Sequence, residues 1–148
     1  MALPEPSEEQ QQIVKKIAKN NIIVNAVAGS GKTTTMLFIA KEYPDKNILV
    51  LTYNKRLRFE TRQRVDKANV KNVNVHNYHS FCCTRYFMSG YTDDIIIDSL
   101  DKYKSSKTQQ PSFCYDIIVI DEAQDLTPLY FRLIKLIIKQ CVKQPILC

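Results

Sequence analysis

Glycine is scarce in this 148-residue sequence, with three in all, and tryptophan is absent. A chain so poor in glycine is no glycine-rich linker, and no internal repeat or low-complexity tract occurs in it. Apolar runs are short too. None approaches the roughly 20 residues needed to span a bilayer, so no membrane role is expected. The opening stretch, Ala2 to Glu9, is acidic and contains proline, unlike a secretory signal. The five cysteines (Cys82, Cys83, Cys114, Cys141 and Cys148) have no metal-ligand spacing, and their odd number argues against a disulfide framework. We expect reduced thiols in an intracellular protein, cytoplasmic or nuclear, with Cys82 and Cys83 as small core residues. Length, 45% hydrophobic content and 24% charged content suit one globular domain spanning residues 1–148.

Two of the three glycines fall almost together, in Ala26-Val27-Ala28-Gly29-Ser30-Gly31-Lys32-Thr33-Thr34. Before them, Asn21 to Asn25 is rich in β-branched residues and predicts a buried strand. After them, Met36, Leu37, Ile39 and Ala40 supply one apolar helical face. Glycine accepts positive φ, so the chain can turn sharply and present backbone N–H groups at a helix N-terminus. Such a loop is built to hold phosphate, through the amides and the helix dipole. Lys32 is placed to reach β- and γ-phosphates, and the Thr33 hydroxyl to bind magnesium. The usual pattern starts on glycine, where this chain has Ala26. A dinucleotide fingerprint fits worse, because it needs glycine or alanine where Thr34 stands.

Much later comes Ile117-Ile118-Val119-Ile120-Asp121-Glu122-Ala123-Gln124-Asp125. Its apolar run, from Tyr115 to Ile120, reads as a parallel strand covered on both faces. The carboxylates follow at the strand's carboxyl end, the usual ligand side of such sheets. Asp121 is expected to hold magnesium through water, Glu122 to act as general base on an attacking water, and Gln124 to sense the γ-phosphate. On their own, these acids could equally be solvated charges opening the next helix.

Net charge is +6, much of it between residues 55 and 71: Lys55, Arg56, Arg58, Arg62, Arg64, Lys67 and Lys71 against Glu60 and Asp66. That excess suits a polyanion, or simply a solvated basic helix face. The remaining pattern predicts a helix capped by Ser7, a strand over Ile48–Thr52, a helix over 54–67 and a short strand over Val70–Val75. Helices over Tyr78–Phe87 and Asp93–Lys104 follow, then a loop over Ser105–Ser112. A last helix has Thr127 as cap and Pro128 first, and Pro145 to Cys148 reads as the opening of a further strand. Alternating strands and helices imply an α/β fold with a mainly parallel sheet and helices on both faces.

With these elements in order, the chain resembles the N-terminal RecA-like P-loop NTPase domain of UvrD/Rep-type superfamily 1 DNA helicases, closest to the F-box DNA helicase branch and its viral relatives. Pro6 to Gln10 is similar to the family's Q motif, which implies that Gln10 reads the adenine edge; it could also serve a capping box with Ser7. Ala26 to Thr34 matches motif I, implying that Ala28, Gly29, Ser30, Gly31, Lys32, Thr33 and Thr34 hold ATP. Leu51 to Lys55 looks like motif Ia, and Asn77 to Phe81 like the following Thr-Phe-His-Ser motif. The resemblance implies that Tyr53, Asn54, Lys55, Tyr78 and His79 line a single-stranded DNA track. Rings stacking on bases and cations following phosphates agree with that, although Tyr53 and Tyr78 could instead be core residues at strand ends. Asp121 to Asp125 is motif II in its DNA-helicase spelling.

The resemblance implies an ATP- and Mg2+-dependent motor moving 3′ to 5′ on single-stranded DNA. Residues 82–114 then read as a reduced accessory insertion. The sequence stops before motif III, so a second RecA-like domain is expected from a longer chain or a partner, and this chain alone is expected to hydrolyse ATP slowly. Two alternatives stand beside this reading. One is a stand-alone module that binds single-stranded nucleic acid and keeps only a vestigial ATPase. The other is a small-molecule P-loop kinase, which Glu122, Gln124 and the aromatic segments disfavour.

Overall fold

The computed structural model describes residues 3–27, 29–105 and 113–141. Ala28, residues 106–112 of the expected loop and the strand expected at Pro145–Cys148 lie outside them. Helices α1 (Glu8–Lys16) and α2 (Lys32–Glu42) lead to strand β1 (Ile48–Thr52). Helix α3 (Lys55–Lys67), strand β2 (Val73–Asn77), and helices α4 (Tyr78–Arg85) and α5 (Asp94–Ser105) follow. Strand β3 (Ile117–Ile120), a 3-10 turn (Ala123–Asp125) and helix α6 (Pro128–Cys141) complete the order.

The three strands form one parallel sheet in the order β2-β1-β3. Ile48 lies opposite both Val73 and Ile117, which sets the register. Every residue of β1 is buried, and the period of two along a strand divides its side chains between two layers. Ile48 and Val50 join Val75, Ile117 and the apolar stripes of α1, α2 and α3. Leu49 and Leu51 join Ile118, Ile120 and residues of α4, α5 and α6, including Phe81, Ile96 and Leu133. This explains why β1 and β3 read as continuous apolar runs: both faces are covered. Each fully buried aliphatic side chain here contributes about 1.5–3 kcal/mol. The expected parallel α/β sheet with helices on both sides is what the chain forms.

Local chemistry starts and stops the elements. Ser7 caps α1 in a full capping box: its hydroxyl accepts from Gln10 N, and Gln10 Oε1 accepts from Ser7 N. Asn77 does the same for α4 with Ser80, so β2 runs into α4 without a loop. Asn54 caps α3 through Leu57 N at 2.9 Å, and Thr127 caps α6 through Tyr130 N at 3.2 Å. The Asn72 side-chain amide donates to the carbonyls of Ala40, Tyr43 and Lys46, fixing the end of α2 to the start of β1.

Two expected strands differ. Asn21–Asn25 joins no ladder. Exposure alternates there as in a strand, with Asn21, Ile23 and Asn25 exposed and Ile22 and Val24 half-buried. Among the described residues only β1 is paired on both edges; the segment does not pair with the open edge of β2 or of β3, and apolar composition alone does not make the ladder hydrogen bonds that define a strand. The strand expected over Val70–Val75 begins instead at Val73. Asn69 takes a left-handed φ of 52° and Val70 N donates to Val65 O, so Val70 finishes the preceding helix.

Candidate functional site: a phosphate loop facing a carboxylate strand end

Gly31 is the residue before α2, with φ 89°, and Gly29 has φ 80°. The positive φ favours glycine at Gly31, and a Cβ there would sit 3.0 Å from Gln10 Nε2, tight against the end of a flexible side chain. Glycine offers no capping side chain, and none caps α2. The amides of the first turn, from Lys32 onward, are left for a ligand, and the helix dipole favours an anion. Gln10 lies directly against this turn. Its Nε2 donates to Thr35 Oγ1 at 3.1 Å, and Thr35 Oγ1 donates on to Gly31 O. The capping glutamine of α1 is thus also a wall of the phosphate loop.

Opposite stands the end of β3. Asp121 N donates to Leu51 O at 2.9 Å, which carries the ladder one residue past the strand. Glu122 then turns left-handed, φ 54° and ψ 52°, and this aims its carboxylate back at α2. Lys32 Nζ lies 3.2 Å from Glu122 Oε1, joining two motifs ninety residues apart. Gln124 Nε2 donates to the other carboxylate oxygen. Those two hydrogen bonds, Gln124 first and Lys32 second, hold the Glu122 carboxyl below its ordinary range. Asp121 moves the other way, raised by burial and then by the neighbouring Glu122 charge. A carboxylate whose burial penalises its charge gains from a cation placed beside it.

Lys32, Thr33, Asp121, Glu122 and Gln124 line one cavity of about 310 Å³. The Thr33 hydroxyl makes no hydrogen bond within the described residues, and one carboxylate plus one hydroxyl is a fitting donor pair for magnesium shared with phosphates. ATP–Mg fits the residues present: open amides and Lys32 for the phosphates, Thr33 and Asp121 for the metal. The metal, when bound, neutralises charge on the phosphate oxygens. Ala28 lies outside the described residues; Ser30 is exposed and Thr34 half-buried beside the loop.

The residues expected on a nucleic-acid track converge only in part. Tyr53 is exposed at the end of β1, and Lys55 is exposed one turn on, 4.7 Å above the Tyr91 ring. Asn54 is exposed and occupied in capping. His79 is mostly covered and pairs with Asp93 at 2.9 Å. Tyr78 is 2% exposed, its ring stacked on Tyr130 at 4.2 Å and 15°. Tyr78 is therefore a core residue and presents no open face for a base, contrary to the stacking role expected of it.

Three contributors were not singled out in the sequence. Tyr130 gathers Tyr53, Tyr78 and His79 around one ring. Its place in the first turn of α6, just after Thr127-Pro128, was the only signal. Tyr91 reaches Lys55 from the α4–α5 connection, and nothing local marked it. Thr61, buried on α3, lines the nucleotide-sized cavity beside Lys32.

Known proteins share this pattern. The family profile described as AAA domain matches residues 10–147. The Probable DNA helicase II homolog of Mycoplasma pneumoniae is 31% identical over 105 residues, a match covering 64% of this chain and 15% of that protein. The chain thus corresponds to a small part of that relative's length. Among the described residues, no helix is long and apolar enough to cross a membrane. Matched by its profile from the capping glutamine through α6, and folded as a parallel P-loop sheet, this chain belongs to the AAA domain family.

Proposed function

We propose that this chain is the RecA-like domain that binds and hydrolyses ATP–Mg2+ in a superfamily 1, UvrD-like DNA helicase. In the complete enzyme, hydrolysis drives movement on single-stranded DNA, 3′ to 5′. A second RecA-like domain completes the ATP site, and residues 82–114 stand where a larger accessory insertion would be. The observation that carries the reading is the 3.2 Å contact between Lys32 and Glu122. Lys32 and the Glu122 carboxylate meet in one cavity, with Thr33 and Asp121 on its walls, which supports a phosphate-binding cation beside a carboxylate base.

The chemistry follows from those groups. The amides at the start of α2 and Lys32 bind the triphosphate. Thr33 and Asp121 hold the metal. Once Lys32 turns to the phosphates, Glu122 keeps its Gln124 bond and is free to orient a water and take its proton. Tyr53 and Lys55 lie where β1 ends, on the same carboxyl side of the sheet as Asp121, so ATP and DNA meet the same strand ends.

The test is calorimetric titration of the 148-residue chain with ATP–Mg2+, paired with phosphate release. Glu122→Gln is expected to retain binding and lose hydrolysis. A Glu122→Gln variant with full turnover would remove Glu122 from the base role. Absence of any ATP binding by the wild-type chain would sink the whole reading.

A further inference from the structure

The basic run between residues 55 and 71 divides on folding. Thr61 of α3 faces the nucleotide cavity, whereas Arg58 and Arg62 line a different cavity, of about 680 Å³, along the outer edge of β2. Lys71, from the turn before β2, and Arg85, the last residue of α4, line it as well. We propose that this groove is a second nucleic-acid site, one that takes the phosphate backbone of duplex DNA. In the sheet order β2-β1-β3 it lies at the edge opposite the phosphate-loop site, which adjoins β3.

Charge is the first argument. Four cations line the groove against one carboxylate, Asp66. Among the described residues none of the four is held in an ion pair: Glu60 is taken by Arg56 and Asp116 by Lys46. Arg85 is tethered without being neutralised. Its guanidinium reaches Asn74 Oδ1 at 3.4 Å and lies 5.8 Å from the Phe113 and Tyr115 rings, and its buried Nε has no hydrogen-bond partner.

His76 reports the same field from inside. It lines the groove, and its pKa is pushed down to about 4 by burial, then by Arg85, Arg58 and Arg62. Three guanidiniums from two helices therefore act on one ring. The imidazole is neutral at pH 7, bonds Ser80 Oγ at 3.4 Å and adds no charge of its own.

The absence of stacking surface selects the ligand. Apart from His76, whose ring packs edge-on to Phe81, no aromatic side chain among the described residues lines the groove. Single strands are held on aromatic platforms. Duplexes present an ordered row of phosphates and hide their bases, so a rigid cationic groove suffices. Arg58 and Arg62 stand one helical turn apart, about 6 Å along α3.

The experiment is fluorescence anisotropy of the 148-residue chain with a short blunt DNA duplex, and with oligo-dT of equal length, across a salt series without nucleotide. Arg58→Gln/Arg62→Gln is compared with Lys15→Gln/Lys19→Gln, which removes equal charge from exposed positions at the start of the chain. The groove variant is expected to lose about tenfold in duplex affinity and to lower the salt slope by about two. The control is expected to change affinity less than about twofold, and oligo-dT binding to change little in either. Equal losses in both variants would mean a net-charge effect and overturn the proposal. So would an equal loss for oligo-dT, which would make the groove a single-strand path, or wild-type chain that ignores duplex. A second readout needs no variant: the His76 ring titration followed by NMR moves upward from about 4 when duplex is added. A titration that stays in place removes duplex from the groove. Neither readout depends on ATP hydrolysis, so failure here leaves the nucleotide assignment standing.

Discussion

Tyr78 and Tyr130 stack face to face, ring centroids 4.2 Å apart, beneath the exposed ring of Tyr53. The pair bridges the start of α4 and the start of α6 and closes the α4–α5–α6 core beneath the strand ends. Burial, then the neighbouring Tyr130 hydroxyl and the Asp121 carboxylate, raise the Tyr78 hydroxyl well above its ordinary pKa, so it is neutral throughout the working range.

The two tyrosines therefore answer to different measurements. Tyr78→Ala is expected to destabilise the fold by about 3–5 kcal/mol, as large aromatic truncations in cores do. Tyr53→Ala is expected to leave the melting temperature nearly unchanged and weaken single-strand binding by about 1–3 kcal/mol. Chemical denaturation and oligo-dT titration separate the two; the reverse pattern would put Tyr78 on the track and Tyr53 in the core.

Lys32→Ala removes the cation at the phosphate loop without touching a core side chain. ATP affinity is expected to fall at least about tenfold, or 1.4 kcal/mol, with circular dichroism unchanged. Equal calorimetric affinity in variant and wild type would move the phosphate site elsewhere.

Glu122 occupies left-handed backbone space that costs a non-glycine residue about 1–2 kcal/mol. Both Glu122→Ala and Glu122→Gly lose the contacts to Lys32 and Gln124. Only the glycine variant also relieves the backbone. Glu122→Gly is expected to be more stable than Glu122→Ala by about 1 kcal/mol, with both inactive. Urea midpoints in the opposite order would mean the turn stores no strain.

Acid stability follows from His76. Its folded pKa, about 4, lies below the ordinary histidine value of 6.5. The unfolded chain therefore binds the extra proton first, and stability drops as pH falls from 6.5 toward 4. Above 6.5 the contribution is fully present. His76→Gln is expected to remove that part of the decline, read as the difference between two melting-temperature profiles. Parallel profiles would show that His76 is not held neutral.

The legible parts of this molecule were those that depend on neighbours in sequence. Ser7 with Gln10 and Thr127 before α6 announce helix starts because capping is a three-residue affair, whereas Asn54, expected inside the helix, proves to be the cap of α3. Ile48–Thr52 was readable in full because burial on both faces leaves no polar interruption. The residues that line the candidate cavity were legible for the same reason: glycine, lysine and threonine follow one another, as do Asp121 and Glu122.

What failed depends on partners distant in sequence. Asn21–Asn25 has strand composition, yet a strand exists only where another offers its backbone. Tyr78 and Tyr53 look alike in sequence; Tyr130, arriving with α6, covers the first and leaves the second open. Tyr91 had no local signature, since its only mark is Lys55, held near by tertiary structure.

Strand β1 sends Ile48 and Val50 into one layer and Leu49 and Leu51 into the other. Neither layer of helices can melt without stripping a strand the other layer needs. Cooperativity of unfolding is thus set at the centre of the sheet. The aromatic signal, which reports mainly the α4–α6 side, where the buried aromatic rings lie, and the far-ultraviolet helix signal, which reports both, should trace a single coincident transition.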